Sequence, residues 1–565
     1  MRAVAERARR AAEEYCQLLS DVFEGRAGAL GNAMGIDRGT VDVFVEGQIR
    51  ASVVFQSAKL ASHLLRAARA AAGEAGWDCI VAGEAVGAKL VRVARLLPTD
   101  PTIARLSAND PAVVLVESAD GDEEVSTCGA GVVGILLCHA LPHLSHLALR
   151  ARQAGVPLVA VEDPALVEHA RALETAPGVR FVAQPGGNIV LEASAAGYRG
   201  GAPGSGGGSG GAVRAAAAAL SADLSAAGKV VHLRDLGAAN RDAAVAIAGS
   251  KATACAALGA MAELDPGAFE APGGAVLPFG SLRDAACAVG AEQRLDFLID
   301  ALESVQHDPN ETAGVCAELQ ALVKTLRPSE EAMAQIEAVF AEDHNPKVMV
   351  RSTGNAEDLA GLSAAGLYDS ISNVDPRDRN VLGAAVAEVW ASLYTTRACG
   401  SRAAAGVGQR DAHMSVLVQR MLTPEVSFIL MTKHPMTNDR GVAYAGLALG
   451  HGETLASGAV RGTPWRMSVD RATRESKLEA VSSFGAALVP DERRGDGSLR
   501  SEPVNCASHW LTVDAERRAR LAERLARVAE TVERELGGAE RVPQDIEGCI
   551  TEDGRVWVVQ ARPQP

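Results

Sequence analysis

The residues best suited to covalent chemistry are three histidines in the segment Cys138-His139-Ala140-Leu141-Pro142-His143-Leu144-Ser145-His146. Leu147-Ala148-Leu149-Arg150 follows, and Ala154-Gly155-Val156-Pro157 closes the stretch. A neutral imidazole is a competent nucleophile near neutral pH and can carry a phosphoryl group. A strand ending near Leu137 and a helix from about Leu144 to Ala154, stopped by Gly155, put His146 in the first helical turn. There the free N–H groups and the positive helix end favour an added anion. Arg150, one turn further on, shares that face and can pair with a phosphoryl group on His146. On spacing alone the commoner reading is three structural histidines at a helix start.

A second group of residues suits a nucleotide. Gly249-Ser250-Lys251 precedes an Ala-rich helix, where a lysine can reach a phosphate while loop amides cradle it. Alone this is a weak signal. Lys347-Val348-Met349-Val350-Arg351-Ser352-Thr353-Gly354 reads as a strand running into a Ser/Gly loop, with Arg351 expected at the strand end. A polar loop with a structural ion pair is the plainer alternative.

The C-terminus is more specific. Gln544–Ile550 and Arg555–Arg562 are strand-like and flank Thr551–Gly554. If Asp553-Gly554 forms a two-residue hairpin loop, Glu547 falls opposite Gln560 and Asp545 opposite Arg562, all on one face. Directly opposite side chains lie about 5 Å apart. A carboxylate and an amide oxygen at that spacing suit Mg²⁺, a hard cation that completes its shell with substrate phosphates. Arg562 beside them suits a phosphate oxygen. A cross-strand Glu–Gln hydrogen bond and an Asp–Arg pair on a solvated edge would use the same register.

The elements that must position these residues follow from the rest of the chain. Its 565 residues predict three or four domains. Residues 1–75 read as a helical segment, with Val54, Ala58, Ala61, Leu65 and Ala68 at helical spacing. Short apolar runs from Trp77 (Cys79–Val81, Val113–Val116, Val132–Leu137, Val156–Val161) predict an α/β unit over 76–197. A Gly/Ser-rich linker spans 198–212; roughly fifteen such residues reach about 20 Å. It is either a tolerated insertion or a functional hinge. Residues 213–565 form the larger unit, helical to about 345 and strand-rich from Lys347. One strong helix is expected over 515–536, capped by Asp514, buried through Leu521, Leu525, Val528, Val532 and Leu536, and stopped by Gly537-Gly538.

Composition narrows the partners. The net charge of −15 argues against bulk nucleic-acid binding. A polyanion such as ATP must then be held by local cations and metal. The ten scattered cysteines form no C-x-x-C and read as buried thiols of a reducing compartment. No purely apolar stretch is long enough for a transmembrane helix, and the N-terminus lacks the apolar centre of a secretory signal.

Ser145-His146 followed by Ala151-Arg152 and Gly155-Val156-Pro157 resembles the phosphohistidine segment of the pyruvate phosphate dikinase superfamily; His139 and His143 have no such match. Gly249-Ser250-Lys251, Val350-Arg351-Ser352, Gly450-His451-Gly452-Glu453-Thr454-Leu455-Ala456-Ser457-Gly458, Asp545-Ile546-Glu547 and Gln560-Ala561-Arg562-Pro563 together resemble the ATP-grasp-like domain of pyruvate phosphate dikinase and phosphoenolpyruvate synthase. In phosphoenolpyruvate synthase-like enzymes the nucleotide domain comes first; here His146 precedes it. That order, with Arg351–Gly361, Ala365–Ser370, Val389–Tyr394 and Arg461–Arg466, resembles the α-glucan, water dikinase family, and Leu141–His146 is similar to phosphoglucan, water dikinase. The resemblance covers about 76–197 and 228–565.

The fold it implies is α/β (α+β), a swivelling phosphohistidine domain linked to an ATP-grasp-like nucleotide domain behind an N-terminal helical segment. By resemblance, His146 is the phosphorylated histidine. Lys251, Arg351 and Arg562 bind ATP phosphates, with Gln419 and Glu453 near the nucleotide. Glu547 and Gln560 ligate Mg²⁺. The implied reaction passes the β-phosphate of ATP through His146 to a glucosyl hydroxyl of a starch-like (phospho)glucan, releasing AMP and phosphate, in the plastid stroma. A dikinase with a small-molecule acceptor and a non-catalytic nucleotide-binding homologue are the alternatives, and a plain ATP-grasp ligase fits His146 poorly. The Gly/Ser insert and the lack of an evident starch-binding module depart from the family pattern.

Overall fold

The computed structural model describes residues 1–564 except 73–75, 99, 120–122, 124, 126–127, 162, 185–187, 196–221, 227, 307–308, 345, 358–366, 458–459 and 492–497. The Gly/Ser linker thus lies outside the described residues, as does part of the Arg351–Gly361 motif. Three helices come first, Arg2–Ala33, Arg38–Ala51 and Val53–Ala72. Ala58, Ala61 and Leu65 are buried, as their spacing predicts.

The front α/β unit is a seven-stranded mixed sheet. Its strands Gly83–Val93, Ala112–Val116, Val132–Leu137 and Leu158–Val161 run parallel, and Trp77–Val81 closes one edge antiparallel to Leu158–Val161. The central strands are continuous apolar runs because helices or loops cover both sheet faces. Separate clusters around Ile135 and Leu147 and around Val113 and Phe181 fill the two sides. The helix His146–Ala154 leaves the C-terminal end of this sheet, where open α/β sheets place ligands. Ser145 caps it, accepting from the Ala148 amide at 3.5 Å, and Gly155 ends it in the left-handed region at φ 65°. His146 is therefore the first helical residue.

The rear half contains two large antiparallel sheets and a two-stranded antiparallel one, Ala486–Pro490 with Leu499–Pro503. A five-stranded sheet includes Gly274–Leu277, Val348–Gly354 and Met414–Arg420 and is backed by helices such as Arg379–Ser392. A six-stranded sheet includes Pro424–Met431, Val442–Leu449, Trp465–Asp470 and the hairpin Gln544–Thr551/Val556–Pro563. One face packs on the helix Ala515–Leu536, whose Asp514 cap and buried Leu521, Leu525, Val528 and Val532 match the expected pattern.

The helix Arg241–Leu264 lies between the two sheets, against Val348–Gly354 and the C-terminal strand. Its length and apolar composition would suffice to cross a membrane, which the expectation of no such stretch did not anticipate. It is nonetheless half buried in the protein, carries Lys251 and breaks at Gly249, as a core helix of a folded domain does. All ten cysteines are free, but Cys16 and Cys138 are half-buried and Cys287 is exposed, so the thiols are not uniformly buried as expected.

Candidate functional site

The C-terminal hairpin sets the site. Glu547 pairs with Gln560 and Asp545 with Arg562, the register read from the sequence. The turn that produces it differs from the expected two-residue loop. Thr551 donates to and closes on Arg555, and Gly554, at φ 79°, donates its amide to the Thr551 carbonyl at 2.7 Å. The loop is thus Glu552-Asp553-Gly554, a three-residue turn with glycine in the left-handed position. Such a loop moves the register by one residue. A bulge at Val559 moves it back between Gly548 and Glu547.

Alternation places Ile546, Ile550, Val556 and Val558 in the core against the helix Ala515–Leu536. Asp545, Glu547, Gln560 and Arg562 face the other way. Arg562 donates from Nε at 3.0 Å and from Nη2 at 2.9 Å to Asp545 Oδ2, and its Nη2 lies 4.0 Å from Glu547 Oε1. Asp545 is 1% exposed, and its Oδ1 has no hydrogen-bond partner. Burial pushes its carboxyl up, Glu547 adds to this, and Arg562 opposes it.

Arg351 joins the two sheets. It is the middle residue of the strand Val348–Gly354, opposite Leu417, and not at the strand end as expected. Its guanidinium donates to Gln419 Oε1 at 2.9 Å, to the Val559 carbonyl at 3.2 Å and to Gln560 Oε1. The bulge at Val559 thereby supplies one acceptor for this arginine. Gln419, on the strand Met414–Arg420, is buried beside it.

Lys251 follows Gly249, whose φ of 80° interrupts the helix Arg241–Leu264. A Cβ at this glycine would lie 2.7 Å from Thr353 Oγ1. The break puts Lys251 in the first turn of the second helical segment, next to the strand bearing Arg351. Its Nζ pairs with Glu357 and donates to the Ser352 carbonyl at 2.8 Å. Glu453 begins the short helix Glu453–Ala456, and its amide donates to His451 Nδ1 at 3.3 Å. Burial, and then the Arg351 charge, push His451 down to about 4, so this ring is neutral and lies within the field of the same arginine.

His146 joins this group although it belongs to the front unit. Leu144 and Leu149 pack with Ile429, Met431, Tyr444 and Leu455, which puts the start of the His146 helix on the polar-faced side of the six-stranded sheet. Burial lowers the imidazole pKa well below its usual 6.5; the charges of Arg150, Arg562, Arg397 and Lys251 lower it further. The ring is neutral at pH 7 and partly exposed. Arg150 turns its guanidinium inward to donate to the Glu123 carbonyl, and it is 2% exposed. It acts on His146 through its charge, and its inward turn departs from the exposed shared face that the spacing suggested. His139 and His143 are structural: His139 Nε2 accepts from the Ala119 amide at 2.9 Å, and His143 Nε2 bonds Asp78 at 2.9 Å.

Sequence reasoning missed Arg397. It lies in the first turn of the helix Thr396–Ala404, capped by Thr395. The only local signal was a Thr-Thr-Arg helix start after Val389–Tyr394. The donor set for a divalent cation is one carboxylate, Glu547, and one amide oxygen, Gln560; among the described residues no group of three or more His, Cys, Asp or Glu gathers as a metal site. One anionic and one neutral oxygen on a surface shared with Arg351 and Arg562 fit a cation that draws its remaining ligands from substrate and water. Gln560 Oε1 accepts from Arg351 here, so a bound cation would compete with that guanidinium.

Residues 245–565 match the family described as pyruvate phosphate dikinase, AMP/ATP-binding domain, and residues 76–194 match that described as alpha-glucan water dikinase, phosphohistidine-like domain. A rifampicin phosphotransferase of a Streptomyces species is 34% identical over 276 residues, 47% of this chain and 29% of the relative. Phosphoenolpyruvate synthase of Pyrococcus furiosus is 27% identical over 277 residues, 47% of this chain and 33% of its own length. The chloroplastic alpha-glucan water dikinase of Solanum tuberosum is 24% identical over 591 aligned positions, which take in 100% of this chain and 36% of the relative. The chain spans about a third of the length of these curated relatives. The first match covers more than half of the chain, and the chain belongs to the pyruvate phosphate dikinase superfamily, joining its AMP/ATP-binding domain to a phosphohistidine-like domain of the α-glucan, water dikinase type.

Proposed function

We propose that this chain is the phosphotransfer core of an ATP-dependent, Mg²⁺-dependent dikinase. His146 is the carrier, and the acceptor is a glucosyl hydroxyl of a starch-like glucan. The observation that carries this reading is the meeting of a neutral imidazole at a helix N-terminus with the charges of Lys251, Arg397 and Arg562. A neutral ring nitrogen keeps its lone pair for phosphorus. The surrounding cations stabilise the charge spread over the transferring phosphoryl oxygens, which is most of what this chemistry asks of a protein.

In this reading Lys251, Arg351 and Arg562 hold the triphosphate, with Gln419 and Glu453 beside the nucleotide. Glu547 and Gln560 would hold Mg²⁺, which when bound neutralises phosphate charge and fixes its geometry. His146 attacks the β-phosphorus. The N–P bond forms as the bond from the β-phosphorus to the oxygen retained by AMP breaks, and the γ-phosphate is given to water. Phosphohistidine, AMP and inorganic phosphate result. The phosphoryl group then passes to the acceptor hydroxyl, restoring the neutral imidazole.

Two acceptors as unlike as water and a glucan cannot share one place, so the 76–197 unit must leave the nucleotide site carrying its phosphoryl group. The linker at 198–212 is the natural hinge for that swing. The full-length likeness to the potato enzyme and the type of the histidine domain favour glucan, and a plastid location is part of the same reading. The rifampicin phosphotransferase likeness is confined to about half the chain and favours only a shared nucleotide domain, with a small-molecule acceptor as the second reading.

ATP labelled at the β- or the γ-phosphorus tests the proposal. The β-label is expected on the wild-type protein and absent from His146→Ala, with AMP released. Protein that retains the γ-label instead would rule the dikinase out. Offering the labelled protein glucan, phosphoglucan or small alcohols separates the acceptor readings.

A further inference from the structure

His146 reaches the nucleotide site only while the front unit is docked on the six-stranded sheet, and one polar contact in that interface stands out. Asp78 lies on the edge strand Trp77–Val81 of the front sheet, and Arg466 lies on the strand Trp465–Asp470 of the rear half. Arg466 Nη2 donates to Asp78 Oδ2 at 2.7 Å and Nη1 to Oδ1 at 3.4 Å, a two-pronged pair between residues 388 positions apart. His143 Nε2 donates to Asp78 Oδ1 at 2.9 Å, and His143 is three residues before His146. The three side chains are 26%, 11% and 8% exposed, in the order Asp78, Arg466, His143. Burial opposes the charge on Asp78, yet Arg466 and His143 hold its carboxyl well below the usual carboxylate range. Burial, then the Arg466 charge, push His143 down, so its ring is neutral and donates from Nε2.

A buried ion pair contributes little net stability compared with apolar packing, but it is geometrically exacting, and losing one partner is strongly unfavourable. The apolar part of the interface, Leu144 and Leu149 against Ile429 and Met431, can slide; a two-pronged arginine–carboxylate pair cannot. The contact also runs through His143 into the turn that starts the His146 helix, while Arg152 of that helix donates to the His143 carbonyl at 2.8 Å and to the Ile80 carbonyl at 3.1 Å. Edge strand, turn and helix thus share one polar network whose only partner in the rear half is Arg466 among the hydrogen bonds and ion pairs described for Asp78 and His143.

We propose that Asp78 and Arg466 form a docking clamp, with His143 as its link to the carrier helix. Both are positioning residues for phosphorylation of His146, and neither touches the nucleotide. The clamp forms when the front unit docks and breaks when it leaves. It registers His146 at the phosphate site without contributing to ATP binding. This rests on His146 being the phosphoryl carrier.

The test uses the full chain with Asp78→Asn, Arg466→Met and the conservative Arg466→Lys. Three quantities are read: the single-turnover rate of β-label transfer to His146, the equilibrium affinity for ATP, and the radius of gyration by solution scattering. A displacement of about 1 Å at the reacting atoms lowers rates by about a hundredfold. Asp78→Asn and Arg466→Met are therefore expected to slow labelling about tenfold or more, with unchanged ATP affinity and a larger radius. Arg466→Lys keeps the charge but not the two-pronged geometry and is expected to recover only part of the rate. Labelling at the wild-type rate in Asp78→Asn, or slowed labelling with an unchanged radius, would overturn the clamp. Should Arg466→Met fail to fold, Asp78→Asn and Arg466→Lys carry the same comparison. A wild-type protein that takes no β-label refutes the carrier role of His146, while the scattering radius still reports whether the clamp holds the two halves together.

Discussion

The cations of the rear half and the histidine of the front half are held in opposite ways. Arg351 is fastened by two glutamines and a carbonyl, Lys251 by Glu357 and Ser352, and Arg562 by Asp545. Each stands on or beside a paired strand or a helix start, so its position is fixed as soon as the two rear sheets form. The His146 ring makes no hydrogen bond among those described, and it is aimed by the helix that carries it and by the docking of that helix on a foreign sheet. In the proposed reaction His146 visits two sites and so cannot be tied to either, whereas the cations proposed to hold a triphosphate are best pre-organised. The site is therefore half built by folding and half delivered by docking.

The sharpest way to break that comparison is to remove one member from each side. Arg351→Met leaves the Gln419 and Gln560 amide oxygens without their donor in a buried site, while the Val559 carbonyl keeps the Cys255 thiol at 3.4 Å. Buried acceptors left unpaired cost about 1–3 kcal/mol each. A loss of about 2–4 kcal/mol in unfolding stability is expected, with ATP affinity down at least about tenfold. His146→Ala should abolish labelling yet leave both the thermal midpoint and ATP affinity near wild type. Calorimetric titration with ATP and thermal melts of the two variants check this. If His146→Ala weakened ATP binding as much as Arg351→Met, the histidine would belong to the cradle and the contrast would collapse.

A smaller effect sharpens the cradle side alone. Gly249 sits at φ 80°, where an L side chain is strained, and an added Cβ would press on Thr353 Oγ1, which already donates to the Ala248 carbonyl at 2.8 Å. Gly249→Ala should cost about 1–3 kcal/mol and loosen ATP binding a few-fold, because the break that delivers Lys251 is displaced. Denaturant midpoints and ATP titration report both numbers. Destabilisation with unchanged affinity would mean that Lys251 does not need this backbone break to reach its position.

The same division explains what could be read from the sequence. Alternation specified the hairpin and helical spacing the 515–536 helix, because each buries one face, while continuous apolar runs marked the front strands, which are covered on both faces. The strand end near Leu137 and the helix stop at Gly155 placed His146 in the first turn, with the helix start off by two residues. The register of Glu547 against Gln560 came out right for an incomplete reason. A two-residue loop was assumed, and a three-residue loop plus a bulge at Val559 gives the same pairing. Nothing in a β-branched run such as Val556-Trp557-Val558-Val559 marks which residue is extruded. The extruded residue is the one whose carbonyl accepts from Arg351, 208 positions away. Arg397 and the Asp78–Arg466 contact stayed invisible for the same reason: long-range docking leaves no periodicity behind.

The smallest expected effect concerns protons and tests the docking side. Burial and four cations lower the His146 pKa well below its ordinary 6.5 in the folded, docked protein. A depressed imidazole pKa means that the unfolded chain binds the proton more readily, so this residue's contribution to stability falls as pH drops below about 6.5. Between pH 8 and 6.5 the ring stays neutral and labelling should be flat. The acid limb of the rate should lie below that of an ordinary imidazole. Arg397→Gln removes one of the cations, so its acid limb should move up toward 6.5 while the rate at pH 8 changes little beyond the loss of that charge. The same substitution made in Asp78→Asn should move the limb less, since an undocked ring no longer feels the rear cations. Single-turnover labelling from pH 5 to 8 measures all three profiles. A limb that sits near 6.5 in the wild type would mean that the docked pose is rarely occupied, and that the carrier meets its phosphate only in passing.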